Sequence, residues 1–383
     1  MTRVGGEWLT RPGTRAVFGC LIDAGQQAFA VGGCVRNDLL GMPVSDVDFA
    51  TDARPERVME LAGRAGLKAV PTGIAHGTVT LVAGDVGHEV TTFRRDLATD
   101  GRRAVVAFAD SPEEDARRRD FTINALYADA RGRISDPLGG LADIAARRVR
   151  FIDDADARIR EDYLRILRFF RFHAWFADPA GGLDPEALDA CARRAEGLER
   201  LSRERVGTEM RKLLAAPDPA PALAAMAAAG VLARVLPGAD AGALAVLVHL
   251  EAETGQAPSW LRRLACLGGD DPAPRLRLTR RETARLRLYR AETGSATTLD
   301  AIAYRHGAGA AIDLALLRAA LTGTPLPEGL AARADFAAGQ RFPLRGHDIT
   351  TGETGPALGR KLKRLEEAWI ASGFRLNRED LLG

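Results

Sequence analysis

The feature that most constrains the fold is a change of pattern near residue 150. Before it, short apolar or alternating runs recur between Gly, Asp and Pro; after Asp156, apolar residues follow helical spacing almost to the end. Ala28–Val31, Val44–Ala50, Thr78–Ala83, His88–Phe93 and Ala104–Phe108 read as strands, with helices expected over Cys34–Leu40 and Pro55–Ala65. Alanine- and leucine-rich segments then run to the C-terminus, broken at Pro179–Gly182, Pro217–Pro221, Gly268–Pro274 and Thr322–Glu328. The expectation is an α+β protein: a mixed-sheet domain over 1–152, a helical segment over 153–215 and a helical remainder over 216–383. No fixed-period repeat interrupts this order.

Within the sheet region, the two glycines Gly32 and Gly33 follow a strand and open a helix, which places backbone N–H groups to meet a phosphate, with Arg36 on the first turn. A plain tight turn explains the glycines equally well. Asp46 and Asp48 then stand at i and i+2, a spacing that on a strand projects both carboxylates from one face. Paired carboxylates repel unless a cation joins them, and they are the hard-oxygen ligands that Mg²⁺ takes together with substrate phosphates. The chemistry they suit is phosphoryl transfer at two metal ions; two solvated aspartates on a surface strand are the bland alternative. Glu89, in the alternating run His88–Phe93, is a third candidate for the acidic face. His76 and His88 are expected to make local hydrogen bonds, because a metal-activated hydroxyl needs no histidine base.

Arg119 precedes Asp120 in Arg118–Leu126, and its guanidinium fork matches triphosphate oxygens, whereas Asp120 suits a helix cap and Asn124 an internal hydrogen bond. Further on, Asp162, Arg165, Arg168 and Arg171 recur every third residue, on one stripe of an expected helix. A fixed carboxylate and guanidinium can read a base edge, the first accepting from an exocyclic amino group and the second donating to ring acceptors. Arg168 and Arg171 could instead hold phosphates, and ordinary ion pairing along an amphipathic helix remains open.

Composition narrows the setting. An apolar fraction of 46% with 27% charged residues describes a globular chain, and no apolar run approaches the roughly eighteen residues of a membrane span. No secretory signal is expected at the start, so a cytoplasmic location and four reduced, widely spaced cysteines are the default. A net charge of +2 says little, but arginine clusters crowd the first half, which favours a phosphate-bearing partner.

Taken jointly, Gly32–Arg36, Ser45–Asp48, Glu89–Arg94, Arg118–Leu126, Asp136–Gly140 and Glu161–Arg171 resemble, in order and spacing, the class II tRNA nucleotidyltransferase and bacterial poly(A) polymerase family. Lower similarity runs through Leu201–Leu214. The resemblance implies a catalytic head on a nucleotidyltransferase-type sheet, then helical neck, body and tail. It implies Asp46 and Asp48 as Mg²⁺ ligands, Gly33, Arg36 and Arg119 at nucleotide phosphates or sugar, Asp162 and Arg165 as readers of the base, and Arg168 and Arg171 as their support. It also implies CTP and ATP as substrates, a tRNA 3′ end as acceptor, and a flexible loop over Arg94–Pro112 centred on Asp100–Arg103. Asn37 departs from the family's usual Asp at a position expected on a helix surface. The isolated His347-Asp348 pair speaks against a metal-dependent phosphohydrolase domain. The basic segment Gly359–Leu365 could meet RNA backbone or could be a solvated helix end. A poly(A) polymerase, a CC- or A-adding specialist, a catalytically dead RNA-binding relative and a transferase acting on a non-RNA acceptor are the competing readings. The sequence leaves the oligomeric state open.

Overall fold

A computed structural model describes residues 2–100, 103–349 and 355–383. The chain falls into two compact units, Met1–Pro237 and Gly238–Gly383. Both boundaries expected from the sequence, at 152 and at 215, lie inside the residues of the first unit.

The first unit is built on strands β1 (Ala28–Val31), β2 (Asp48–Thr51), β3 (Lys68–Gly73), β4 (Thr78–Ala83), β5 (Val86–Thr92), β8 (Tyr127–Ala128) and β9 (Ile134–Ser135), in the order β3-β4-β5-β2-β1-β8-β9. A separate hairpin joins β6 (Arg94–Asp100) to β7 (Arg103–Phe108). β2 runs antiparallel to β1, with Val31 opposite Asp48, and parallel to β5, with Phe49 beside Val90. One step back along the two parallel strands come Asp48 and Glu89, so the register itself brings these carboxylates to one end of the sheet.

Alternation along the strands separates two apolar layers. Phe49, Leu81 and Val90 are fully buried on a sheet against which helices α1 (Pro12–Ile22) and α3 (Pro55–Arg64) pack, with Phe18 edge-on to Phe49 at 4.9 Å. Both helices open with Pro in the first turn, where its missing N–H costs nothing. A second cluster gathers Val31, Ala50, Phe93, Ala116, Tyr127 and Ile152.

Several expectations change. The strand expected over Val44–Ala50 begins only at Asp48, and Asp46 lies in the extended segment before it. The carbonyls of Val44 and Ser45 accept hydrogen bonds from Arg11 at 3.0 and 3.3 Å, so an arginine takes the place of a ladder partner. Lys68–Gly73, not foreseen, forms an edge strand that accommodates Pro71 because one side of it needs no partner. The segment read as a flexible loop contains the β6–β7 hairpin; Gly101 and Arg102, at the centre of that reading, lie outside the described residues.

Helix α4 (Pro112–Arg117) lies between β7 and β8, and after the last strand come α5 (Gly140–Ala145), α6 (Ala155–Glu161), α7 (Leu164–Phe176), α8 (Pro185–Arg193) and α9 (Arg203–Leu214), α2 being Gly33–Leu39. α7 buries Ile166, Leu167, Phe169, Phe170 and Phe172, and the rings of Phe121, Phe151, Phe169 and Phe172 interlock at 4.8–6.4 Å. The second unit is helical throughout its described elements. At its centre Glu251 accepts from the buried Arg262 and Arg263 at 2.8 and 2.9 Å. Among the described residues no helix is long and apolar enough to cross a membrane.

Candidate active site

The acidic end of the sheet is assembled from a constrained segment. Asn37 donates to the Pro43 carbonyl at 3.0 Å, Arg11 holds the next two carbonyls, and Val47, buried, faces the His88 ring with its carbonyl 3.3 Å from Nδ1. These contacts fix the backbone on both sides of Asp46, whose carboxylate accepts from Ser45 Oγ at 3.1 Å. His88 thus has the local hydrogen-bonding part expected of it. Asp46, Asp48 and Glu89 are all exposed. Partial withdrawal from water, followed by the charge of Glu89, pushes the Asp48 carboxyl up to about 6; Arg119 opposes this and Asp46 adds to it. Three carboxylates thus converge at this end of the sheet, with the Arg119 charge offsetting them only in part.

Among the described residues no three or more His, Cys, Asp or Glu side chains gather to hold one ion. Mg²⁺ does not require such a cage: it keeps waters and uses one or two carboxylates with substrate phosphates. The open pair Asp46 and Asp48, raised in energy by mutual repulsion, fits that demand.

The glycine turn abuts this edge. Gly32 has φ 73° and ψ −115°, a conformation essentially restricted to glycine, and it donates to Leu126 O at 3.2 Å while its carbonyl receives Arg36 N at 2.9 Å. A Cβ there would lie 3.5 Å from Arg119 Nη1 and 3.6 Å from Asn124 O, so space is adequate and conformation alone demands glycine. Gly32→Ala should cost about 1–3 kcal/mol of stability from backbone strain, measured by urea unfolding; an unchanged midpoint would show that the turn has another accessible conformation.

Arg119 is oriented from behind. Asp115, buried on α4, accepts from its Nη2 at 2.9 Å and from its Nε at 3.2 Å, while Tyr127 OH donates to the same carboxylate oxygen at 2.8 Å. Arg118 Nε takes the other oxygen at 2.9 Å. Burial works against the Asp115 charge, but Arg119 and Arg118 hold its carboxyl well below the usual range.

Arg36 is mostly buried. Its Nη1 donates to Asn124 Oδ1 at 2.5 Å, its Nη2 to Asn37 Oδ1 at 2.8 Å, and its face lies 4.0 Å from the Phe176 ring centroid. Burial, then the neighbouring Arg171 charge, lowers its pKa to about 10. Asn124 also donates to Asp120 Oδ1 at 2.9 Å, and Asp120 Oδ2 accepts from Arg168 Nε at 2.6 Å. Burial would raise the Asp120 carboxyl, yet Arg168 and these hydrogen bonds hold it at about 2. Asp120 thus ties Arg168 of α7 to the sheet domain instead of capping a helix, and Asn124 bonds internally as expected.

The single helix expected over Glu161–Phe172 is two helices. Asp162, at φ −152° and ψ 105°, interrupts it; its Oδ1 accepts from Leu164 N at 3.1 Å and its carbonyl from Arg165 N at 2.9 Å, so it starts α7 from outside. Arg165, Arg168 and Arg171 do follow one another along α7. Asp162 Oδ2 accepts from Arg205 Nη2 at 2.5 Å. Arg165 pairs with Glu161 and donates to Arg158 O at 2.8 Å and to Arg118 O at 3.1 Å. Arg171 donates to Glu209 Oε2 at 2.6 Å.

Asp115, Arg205 and Glu209 were not singled out by sequence reasoning. Asp115 had a signal, standing three and four residues before Arg118 and Arg119. The other two act across 38 to 43 residues of chain and had none. Elsewhere in the first unit, a concavity of about 400 Å³ is lined by Asp153, Asp154, Asp156, Asp184, Glu186 and Asp189 together with Arg150 and Arg193.

A mixed sheet bearing an exposed carboxylate pair beside a glycine turn and an anchored arginine, followed by helices, defines a nucleotidyltransferase-type protein. Residues 28–150 match the poly A polymerase head domain, and 182–242 match the probable RNA and SrmB-binding site of polymerase A. The crystal structure of a Bacillus stearothermophilus CCA-adding enzyme in complex with CTP superposes with a TM-score of 0.74 at 31% identity, covering 94% of this chain and 93% of that one. The human mitochondrial CCA tRNA nucleotidyltransferase 1 is 43% identical over 184 residues, 48% of this chain and 42% of that protein. The CCA-adding enzyme of Geobacillus thermodenitrificans is 42% identical over 243 residues, 63% of this chain and 54% of that protein. The matches thus span about half the length of these curated relatives. The chain belongs to the class II tRNA nucleotidyltransferase and bacterial poly(A) polymerase family.

Proposed function

We propose that this protein adds C, C and A to the 3′ end of tRNA from CTP and ATP, without a nucleic-acid template. The observation that carries the reading is the double engagement of one short segment: Arg165 donates to the carbonyl of Arg118, and the next residue, Arg119, bears on the charge of Asp48. A nucleotide whose base meets Asp162 and Arg165 would then have its phosphates toward the acidic edge.

Asp46 and Asp48 would hold Mg²⁺, with Glu89 adding negative charge beside them; that metal would supply activation of the attacking 3′-hydroxyl and neutralisation of the departing pyrophosphate. Gly33, Arg36 and Arg119 are assigned to the phosphates and sugar, Arg119 as the fork that Asp115 orients and Arg36 as buried positive charge. Asp162 accepts from the N4 amino group of cytosine or the N6 amino group of adenine, while Arg165 donates to the ring acceptors beside it. Uracil and guanine present carbonyl oxygens where the amino groups would be, and a carboxylate repels them. Arg168 and Arg171, held by Asp120 and Glu209, keep α7 in place.

In this reading residues 1–152 form the catalytic head, 153–215 the neck that reads the base, and 216–383 a body and tail that contact tRNA by shape and backbone charge, in the cytoplasm. The basic side chains Arg360, Lys363 and Arg364, with Glu367 4.0 Å from Lys363, line a shallow surface concavity of net positive charge that suits phosphates.

The test is to incubate the protein with Mg²⁺ and a tRNA transcript lacking its CCA end, supplying CTP, ATP or both, with Asp46→Ala as the inactive control. Three additions ending in CCA are expected when both nucleotides are present. Long A tails, arrest after CC, or A addition only to CC-ended tRNA would assign a specialist, and RNA binding without incorporation would reject the catalytic reading.

A further inference from the structure

We propose that Arg205 is a positioning residue that sets base specificity by holding the Asp162 carboxylate in one orientation; this rests on the reading of Asp162 and Arg165 as the base-recognising pair. Asp162 stands at a helix break, where no regular turn confines its side chain. Two contacts do so instead: the amide of Leu164 on Oδ1, at 3.1 Å, and Arg205 Nη2 on Oδ2, at 2.5 Å. A carboxylate offers about four lone-pair sites, so each oxygen keeps one for a base amino group. The side chains of Asp162 and Arg205 are 26% and 29% exposed, open enough for a ligand to reach the pair.

Arg205 is itself placed by the start of α9. Ser202 caps that helix by accepting from Arg205 N at 3.5 Å, and one turn later Glu209 receives Arg171 from α7. α9 therefore presents a cation and then an anion toward an anion and then a cation on the preceding segment, which fixes their mutual register. The arrangement mirrors the other half of the reader: Arg165 is paired with Glu161, so each reading group has an opposite charge holding it.

The consequence is chemical. A carboxylate held with its free lone pairs in fixed directions rewards the N4 amino group of cytosine and repels O4 of uracil. A carboxylate free to rotate can turn away from O4, and rejection is lost before acceptance is. A partly exposed ion pair contributes little to global stability, so removing Arg205 should leave the protein folded.

The experiment measures equilibrium binding of CTP and UTP, together with kcat and KM for each on a tRNA transcript lacking CCA, in the unaltered protein, Arg205→Ala and Arg205→Lys. In Arg205→Ala the preference for CTP over UTP should fall by about tenfold or more, through a higher KM for CTP and improved use of UTP, with Arg205→Lys recovering part of it. Urea midpoints verify that both variants are folded; should Arg205→Ala fail to fold, Arg205→Lys, with a fork replaced by a point charge, must still show reduced discrimination. An unchanged CTP:UTP ratio in the variants, or equal proportional losses for both nucleotides, overturns the role of Arg205. Absence of any CTP preference in the unaltered protein overturns the base-reading assignment of Asp162, and this proposal with it.

Discussion

Asp48→Asn should lower nucleotide addition by at least about a thousandfold while leaving the protein no less stable at pH 7.5. The loss follows from removing one of the two carboxylates assigned to Mg²⁺, since a neutral amide is a far weaker ligand for a hard divalent cation. The stability expectation comes from the opposite side of the same chemistry. The carboxyl titrates at about 6 in the folded protein against an ordinary 3.8, so the folded state binds this proton more tightly than the unfolded chain does. Its contribution to stability is therefore greatest below about pH 4 and declines as pH rises through 6. Above that, the ionised group is a liability of about 1 kcal/mol, after discounting the shift for solvent screening at an exposed residue. Asparagine keeps the shape and removes the charge. Single-turnover addition assays and urea unfolding, both at pH 7.5, check the two halves separately. A large fall in stability would mean that Asp48 carries a structural contact absent from the folded arrangement described above, and retained activity would remove it from the reacting centre.

The parts of this molecule written in local pattern were readable in the sequence. β1 and β4 match their expected residues, β5 and β7 lie within two residues of theirs, and α2 and α3 arise where apolar spacing and first-turn glycine or proline put them. Long-range pairing was less readable. Periodicity indicates which face of an element is turned inward but not which side chain will meet it, so Arg168 with Asp120, Arg171 with Glu209 and Asp162 with Arg205 became visible only when the helices were packed. Two misreadings had local signals that a stronger pattern outweighed. Asp162 has a three-residue spacing to Arg165 that suits a continuous helix, yet aspartate is also a favoured helix starter, and here that tendency prevails. In Val44–Ala50 the apolar alternation suits a strand, but Pro43 and the Arg11 contacts keep the chain out of the ladder until Asp48. The candidate site was legible as a set of residue types at given spacings. The way they are held was not, since that resides in Asp115, Glu209 and Arg205.

Asp115→Ala should be the most destabilising single change at the site, costing about 3–5 kcal/mol. The Asp115 side chain is 1% exposed and receives Arg118, Arg119 and Tyr127 OH, with the Arg94 amide at 3.3 Å. Removing it leaves two guanidinium groups without their shared counter-ion and a buried phenol without an acceptor, a larger penalty than losing an exposed pair. The same substitution should alter the pH profile. Asp115 and Asp120 both titrate well below their ordinary 3.8, so their stabilisation is fully present above about pH 4 and is lost as pH falls toward 2. The unaltered protein should thus lose stability steeply on that limb, and Asp115→Ala, already lacking one contributor, should lose it less steeply. Urea unfolding at pH 7 and pH 3 measures both effects; a cost below about 1 kcal/mol at pH 7 would mean that water replaces the carboxylate without penalty. Arg119 is also released by this change, so nucleotide addition should fall even at temperatures where the variant remains folded. Arg118→Ala separates the two consequences, because it removes one guanidinium from the cluster while leaving the Asp115–Arg119 fork intact.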